Sequence, residues 1–238
     1  MDVAAYSKEL SASLVLFDID GTLTRGVGKH HRAALEAAVL QITGIAATTQ
    51  GIPVHGMLDR VILTRMLRAA GIPDVEALRV LPNVMEAAQE IYCRTDGPGS
   101  VPDLRDKLCP GLPHLLEEMA RRNVVLALVT GNLTRIGWHK LARAGIHRHF
   151  RFGAFGEMAP KRGDLAKLAI ARARTEGLID AGSRISLIGD AASDVEAAKD
   201  AGVQSIAVRT GITPPGELEA AGPDVLLDDL TKLDLAII

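Results

Sequence analysis

The chain has 238 residues, of which 47% are hydrophobic and only 3% aromatic, with a formal net charge of −2 and a pI near 6.4. That length suits one large domain or a domain with an inserted module, packed mainly by aliphatic side chains. The slightly acidic balance excludes the basic surface that nucleic-acid binding needs, so small molecules are the expected partners. The longest apolar run, Val124 to Val129, falls far short of the ~18 residues of a membrane-spanning helix. Met1 to Leu10 contains acidic residues and lacks a basic-then-apolar leader. With only Cys93 and Cys109, neither in a CxxC, a disulfide framework is not expected. A cytoplasmic protein is the default reading.

In chain order, the first strong element is Leu14-Val-Leu-Phe17, a short apolar run closed by Asp18-Ile-Asp-Gly-Thr22. It reads as a buried strand followed by a sharp turn. From about Arg25 to Leu108 no buried strand is evident, and helical patterns lie near His30–Ile42, Leu58–Ala70 and Val75–Tyr92. Gly97-Pro-Gly-Ser100 and Cys109-Pro-Gly111 mark the return. Leu112, Leu115, Leu116 and Met119 have helical spacing, with Asn123 as a stop. A strand at Val124–Val129 runs into Thr130-Gly-Asn132, followed by a helical segment at Arg135–Ala144 in which Trp138 serves packing. A helix is expected over Asp164–Thr175, a strand at Ile185–Ile188 before Gly189-Asp190, and a helix over Ala192–Ala201 stopped by Gly202. Shorter strands follow at Ser205–Val208 and Asp224–Leu227. Apolar strands alternating with helices predict an α/β fold with a doubly wound parallel sheet. The expected division is a core from 1–24 and 109–238 with a helical cap inserted at 25–108.

Ligands of open parallel sheets bind at the carboxyl ends of the strands. Three predicted strands end there in polar residues: Asp18 with Asp20, Thr130 with Asn132, and Asp190 followed by Asp194. Carboxylates converging at one edge repel each other unless a cation intervenes, and hard oxygen ligands suit Mg²⁺ with a substrate phosphate. A carboxylate can also act as a nucleophile and form an aspartyl-phosphate. The bland readings are turns and helix caps, and each motif alone is open to them. The histidines at 30–31, 147 and 149 have no metal-ligand spacing.

Asp18-Ile-Asp-Gly-Thr22 resembles the first motif, DxDGT, of the haloacid dehalogenase superfamily. Thr130 after Leu-Val resembles the second motif, a basic residue in Pro160-Lys-Arg162 the third, and Gly189-Asp190-Ala-Ala-Ser-Asp194 the fourth. The order agrees with the family over nearly the whole chain. The cap position is that of phosphoglycolate-phosphatase-like members, and Gly56-Met-Leu-Asp59 loosely resembles their Gly-Lys-Thr-Asp segment.

The resemblance implies a Mg²⁺-dependent phosphatase of a small phosphorylated metabolite. Asp18 is then the nucleophile, and Asp20 the acid and base whose carbonyl also binds metal. Thr130, Gly131 and Asn132 hold the phosphoryl oxygens. Asp18, Asp20, Asp190 and Asp194 form the metal group, with Asp194 orienting the basic residue or a metal-bound water. For the third motif the register favours Arg162, with Lys161 kept as a substrate-binding candidate. Ala191 departs from the Thr or Ser common after the fourth-motif aspartate. Asp20 points to phosphate esters, since branches resembling dehalogenases lack it. The alternatives are a phosphosugar mutase of the same superfamily and a non-enzymatic phospho-accepting regulator. Between 25 and 108, ten basic residues face nine acidic ones, which suits a small anion better than a polyanion. Asp59, His55 and Arg60 are candidates to face the pocket. The sequence leaves the substrate and the oligomeric state open.

Overall fold

The computed structural model describes residues 12–94 and 101–238. Among the described residues, six strands follow in chain order as β1 (Ser13–Phe17), β2 (Val124–Val129), β3 (Phe152–Ala154), β4 (Ile185–Gly189), β5 (Gln204–Val208) and β6 (Val225–Leu227). They form one parallel sheet in the order β3-β2-β1-β4-β5-β6. In β1, Leu14 and Leu16 enter one hydrophobic cluster while Val15 and Phe17 enter another. Alternation across a pleated strand sends successive side chains to opposite faces, so a continuous aliphatic run is what a strand covered on both sides requires.

Helices α1 (Gly28–Thr43), α2 (Asp59–Ala69) and α3 (Asp74–Tyr92) stand between β1 and β2 in the chain. After them come α4 (His114–Arg121), α5 (Thr134–Arg143), α6 (Arg162–Thr175), α7 (Ala192–Ala201) and α8 (Pro215–Ala220). Leu35, Leu63, Met66 and Val84 from the first three helices share one cluster with Val15 and Phe17 of the sheet. Helix α6 covers the opposite face through Leu165, Ala166 and Ala169.

The α/β, doubly wound parallel architecture agrees with the sequence expectation. Some details differ. The three-residue β3 carries no period long enough to be read from sequence. Helix α6 opens at Arg162, two residues ahead of Asp164. Helix α4 begins after Pro113 and excludes Leu112, and Asn123 beyond its end has φ 56°, a left-handed conformation that Asn tolerates. The expected turn at 97–100 and the segment at 1–10 lie outside the described residues. No described helix is long and apolar enough to cross a membrane.

The register sets the position of the site. Phe17 of β1 pairs with Leu128 of β2 and with Ile188 of β4. The residues just past these pairs, Asp18, Thr130 and Asp190, therefore emerge together at one sheet edge.

Leu63 is fully buried where the three-helix module meets the main cluster. Leu63→Ala is expected to destabilise the protein by about 2–5 kcal/mol in urea unfolding; a loss below about 1 kcal/mol would mean that this contact surface does not support the fold.

Candidate active site

Asp18 stands directly after β1, on the central strands of the sheet. Its Oδ1 accepts a hydrogen bond from Nη2 of Arg162 at 2.7 Å. Nη1 of Arg162 lies 3.0 Å from Oδ1 of Asp194 and donates to Oγ of Ser193 at 3.1 Å. Asp194 sits in the first turn of α7, where its Oδ2 accepts from the Ala191 amide at 3.0 Å. Carboxylate oxygens of Asp18, Asp190 and Asp194 all lie within 4.8 Å of one another, and the three residues are buried.

Gly21 explains why Asp-Gly follows the strand. Its φ is 93°, and a Cβ there would collide with the Asp190 carboxylate, so only glycine admits both the turn and the neighbour. Thr22 supports Asp190 from the same turn by donating to its Oδ1 at 3.3 Å. On β2's side, Asn132 Nδ2 donates to Thr130 Oγ1 at 2.8 Å and to Asp20 Oδ2 at 2.9 Å. Gly131 is constrained from above: a Cβ would overlap the carbonyl of Met57, which precedes α2.

Burial pushes Asp190 up to about 9, with the neighbouring Asp18 and Asp194 charges adding to the shift. Asp194 is pushed up to about 7 by burial, against the pull of Arg162. Burial also raises Asp18, opposed mainly by Arg162. Asp20 behaves differently. Burial would raise it, but Lys140 and His31 nearby, with hydrogen bonds from Lys140 and Asn132, bring it below its ordinary value. Asp190 Oδ2 is buried without a hydrogen-bond partner, 3.5 Å from His55 Nε2, and Asp194 Oδ1 is buried with Arg162 as its ion-pair partner. Three buried carboxylates this close, with one guanidinium to balance them, fit a divalent cation bound by hard oxygen ligands.

A cavity of about 350 Å³ opens over this edge, lined by Asp18, Asp20, Thr130, Gly131, Asn132, Arg162 and Asp190 from the sequence-derived set. Asp194 lies behind that lining. Lys161 does not join it: it precedes the first turn of α6 in extended conformation and is exposed. Of the two third-motif candidates, Arg162 is the one in the cavity wall, and Lys161 stands outside it. His55 and Asp59 line the cavity, whereas Arg60 is absent from its wall. Trp138 packs on Phe155 with ring centroids 5.9 Å apart, in keeping with a packing role.

Sequence reasoning missed two residues. Lys140 of α5 is fully buried with its Nζ 2.5 Å from Asp20 Oδ2. His31 of α1 bridges Lys140 and Asp59. A signal for Lys140 existed: it occupies the same helical stripe as Ile136, Gly137 and Leu141, a lysine where the period calls for an apolar residue.

The family model for haloacid dehalogenase-like hydrolases matches residues 12–202. A relative named phosphoglycolate phosphatase from Pseudomonas fluorescens is 30% identical, over 92% of this chain and 78% of its own length. Another of that name from Pectobacterium atrosepticum is 29% identical over 89% and 86%. Among solved structures, a variant of CbbY from Rhodobacter sphaeroides in complex with xylulose-(1,5)bisphosphate has a TM-score of 0.70 at 21% identity, covering 94% of this chain and 98% of that one. The β-phosphoglucomutase of Clostridium difficile has a TM-score of 0.66 at 17% identity, with 95% of each chain covered. At such identities the solved structures show a shared fold.

The raised carboxylates have a consequence for stability. Without a cation, Asp190 keeps its proton to about 9 and Asp194 to about 7, both above the ordinary 3.8 of the unfolded chain. The folded state then binds more protons than the unfolded one, and this contribution to stability falls as pH rises through that window. A bound divalent cation relieves the repulsion, so thermal melts should show a larger Mg²⁺-induced rise in Tm at about pH 8.5 than at about pH 6. Equal shifts at both pH values would argue against a cation among these carboxylates.

Proposed function

We propose that this chain, a phosphatase that belongs to the haloacid dehalogenase-like hydrolase family, removes phosphate from a small monoester by carrying the phosphoryl group transiently on Asp18. The observation behind this reading is the placement of Asp18 in the cavity wall against Arg162, with Asp190 and Asp194 beside it and Asp20 on the same loop.

A carboxylate oxygen of Asp18 attacks phosphorus, and the bond from phosphorus to the ester oxygen breaks. Asp20 gives its proton to the departing alcohol. Water then attacks the aspartyl-phosphate, Asp20 takes the water's proton, and the bond to Asp18 breaks to release phosphate. One group serves both steps because the first leaves it ready for the second. Asp20 rests ionised, so its first proton must arrive with the substrate; a phosphate ester whose second ionisation is near ~6 carries one. Thr130, Gly131 and Asn132 bind the phosphoryl oxygens, and Arg162 balances their charge. Asp18, Asp190, Asp194 and the Asp20 carbonyl would hold Mg²⁺. When bound, the ion supplies the positive charge that lets an anionic ester approach an anionic nucleophile.

In this reading residues 25–108 form the cap over a core made of 1–24 and 109–238. Arg25, Lys29 and Arg32 from that module line the cavity, and none is ion-paired among the described residues. Their unspent charge favours an ester with a second anionic group, and the relatives named phosphoglycolate phosphatase make phosphoglycolate the first candidate.

The test is phosphate release from a panel of phosphorylated metabolites, with and without Mg²⁺. Phosphoglycolate is expected to exceed an alkyl phosphate with a neutral tail by about ten-fold or more in kcat/KM, the value of a good charge-assisted contact. Asp18→Asn is expected to abolish turnover, by at least about 10³-fold, and to leave no hydroxylamine-sensitive phosphoenzyme after acid quenching. An active Asp18→Asn variant would remove the nucleophile, and chelator-insensitive turnover would remove the metal. Interconversion of sugar phosphates without net phosphate release would favour the mutase instead.

A further inference from the structure

Lys140 has no place in the steps above, yet it is the most completely buried cation of the described residues, at 0% exposure. An ammonium carries three donors, and three acceptors surround this one. They are Asp20 Oδ2 at 2.5 Å, Asn132 Oδ1 at 2.6 Å and His31 Nδ1 at 3.1 Å. Every proton has a partner.

The arrangement dictates the orientation of its neighbours. A lysine only donates, so the Asn132 atom facing it must be the carbonyl oxygen. The amide is thereby locked with Nδ2 toward Asp20 Oδ2, at 2.9 Å, and toward Thr130 Oγ1, at 2.8 Å. The His31 ring accepts through Nδ1, which puts its proton on Nε2, and that atom meets Asp59 Oδ2 at 2.9 Å. Asp59 Oδ2 also accepts from the Leu133 amide at 2.9 Å. Two donors thus fix one oxygen of Asp20, Oδ2, while Oδ1 is buried and makes no hydrogen bond.

We propose that Lys140 is a positioning residue: it anchors Asp20 by Oδ2, directly and through Asn132, and so holds the carboxyl group in one orientation for proton exchange with the ester and with water. This assignment rests on the reading of Asp20 as the acid and base. A carboxylate with free rotation about its last bond would spend much of its time with neither oxygen in line. A lysine that merely stabilised α5 would need no such set of acceptors, and the helix stripe it interrupts would pack better with an apolar side chain.

The test compares the wild type with Lys140→Met, Asp20→Asn and the double variant, all with Mg²⁺. The rate measured is leaving-group release in the first turnover. Nitrophenolate departs without a proton, whereas an alkoxide needs one. Lys140→Met is therefore expected to slow the alkyl ester by about 30- to 300-fold and nitrophenyl phosphate by less than about five-fold, with KM for each within about two-fold of wild type. In the Asp20→Asn background, adding Lys140→Met is expected to change the alkyl-ester rate by less than about two-fold, because the group it positions is already gone. Equal losses for both leaving groups, an unimpaired Lys140→Met, or additive losses in the double variant would overturn the assignment. Should Lys140→Met fail to fold, the double variant removes both charges of the pair and decides by itself: a further loss above about five-fold relative to Asp20→Asn overturns the proposal. Wild-type rates in Asp20→Asn would instead sink the acid–base reading, which impaired Asp20→Asn with intact Lys140→Met would leave standing.

Discussion

Three carboxylates share a buried corner within 4.8 Å of one another, with one guanidinium between two of them. Like charges about 4 Å apart repel by about 4 kcal/mol per pair even at an effective dielectric of 20. The scaffold must hold them in spite of this. It does so with backbone: Asp18 and Asp190 leave neighbouring strands at the same level, and Asp194 is tied to the Ala191 amide one helical turn on. Neither acid can retreat without unpairing the centre of the sheet. The strain of the corner is also its chemical capacity, since crowded anions bind cations and hold protons tightly.

A second pairing works in the opposite sense. Asp20 is only two residues from Asp18, yet it meets Lys140 rather than another acid, and its proton affinity falls where that of the others rises. Environments that push neighbouring carboxyl groups apart divide the roles among chemically identical side chains. Helices α1 to α3 share the same large hydrophobic cluster as one face of the sheet, and His31 and Asp59 of these helices meet Lys140 and the Leu133 amide. The cavity wall joins residues of the segment between β1 and β2 to the acids and Thr130 at the strand ends.

Much of this was legible in the sequence. Asp18, Thr130 and Asp190 could be read because each follows an aliphatic run that can only be a two-sided buried strand, and strand ends are where parallel sheets place ligands. The choice between Arg162 and Lys161 rested only on register, because adjacent residues at a helix start differ in direction, not in composition. Strand β3 was invisible, since three residues give no period. Lys140 was hidden for another reason: its partners Asp20 and His31 lie 120 and 109 positions away in the chain, and no local pattern encodes a contact across that distance. The interrupted stripe of α5 showed that something polar was buried there, without showing what it met.

The neighbours at 161 and 162 differ sharply in fate. Lys161 is in solvent and Arg162 is buried between two acids. Successive residues of a helix point about 100° apart, and α6 is held in place by its buried Leu165, Ala166 and Ala169. A residue gained or lost inside the first turn, between Arg162 and that buried face, would swing the guanidinium away from Asp18 and Asp194 with every side chain of the corner still present in the chain. A change of length in the loop ahead of α6 would leave the register of that turn untouched.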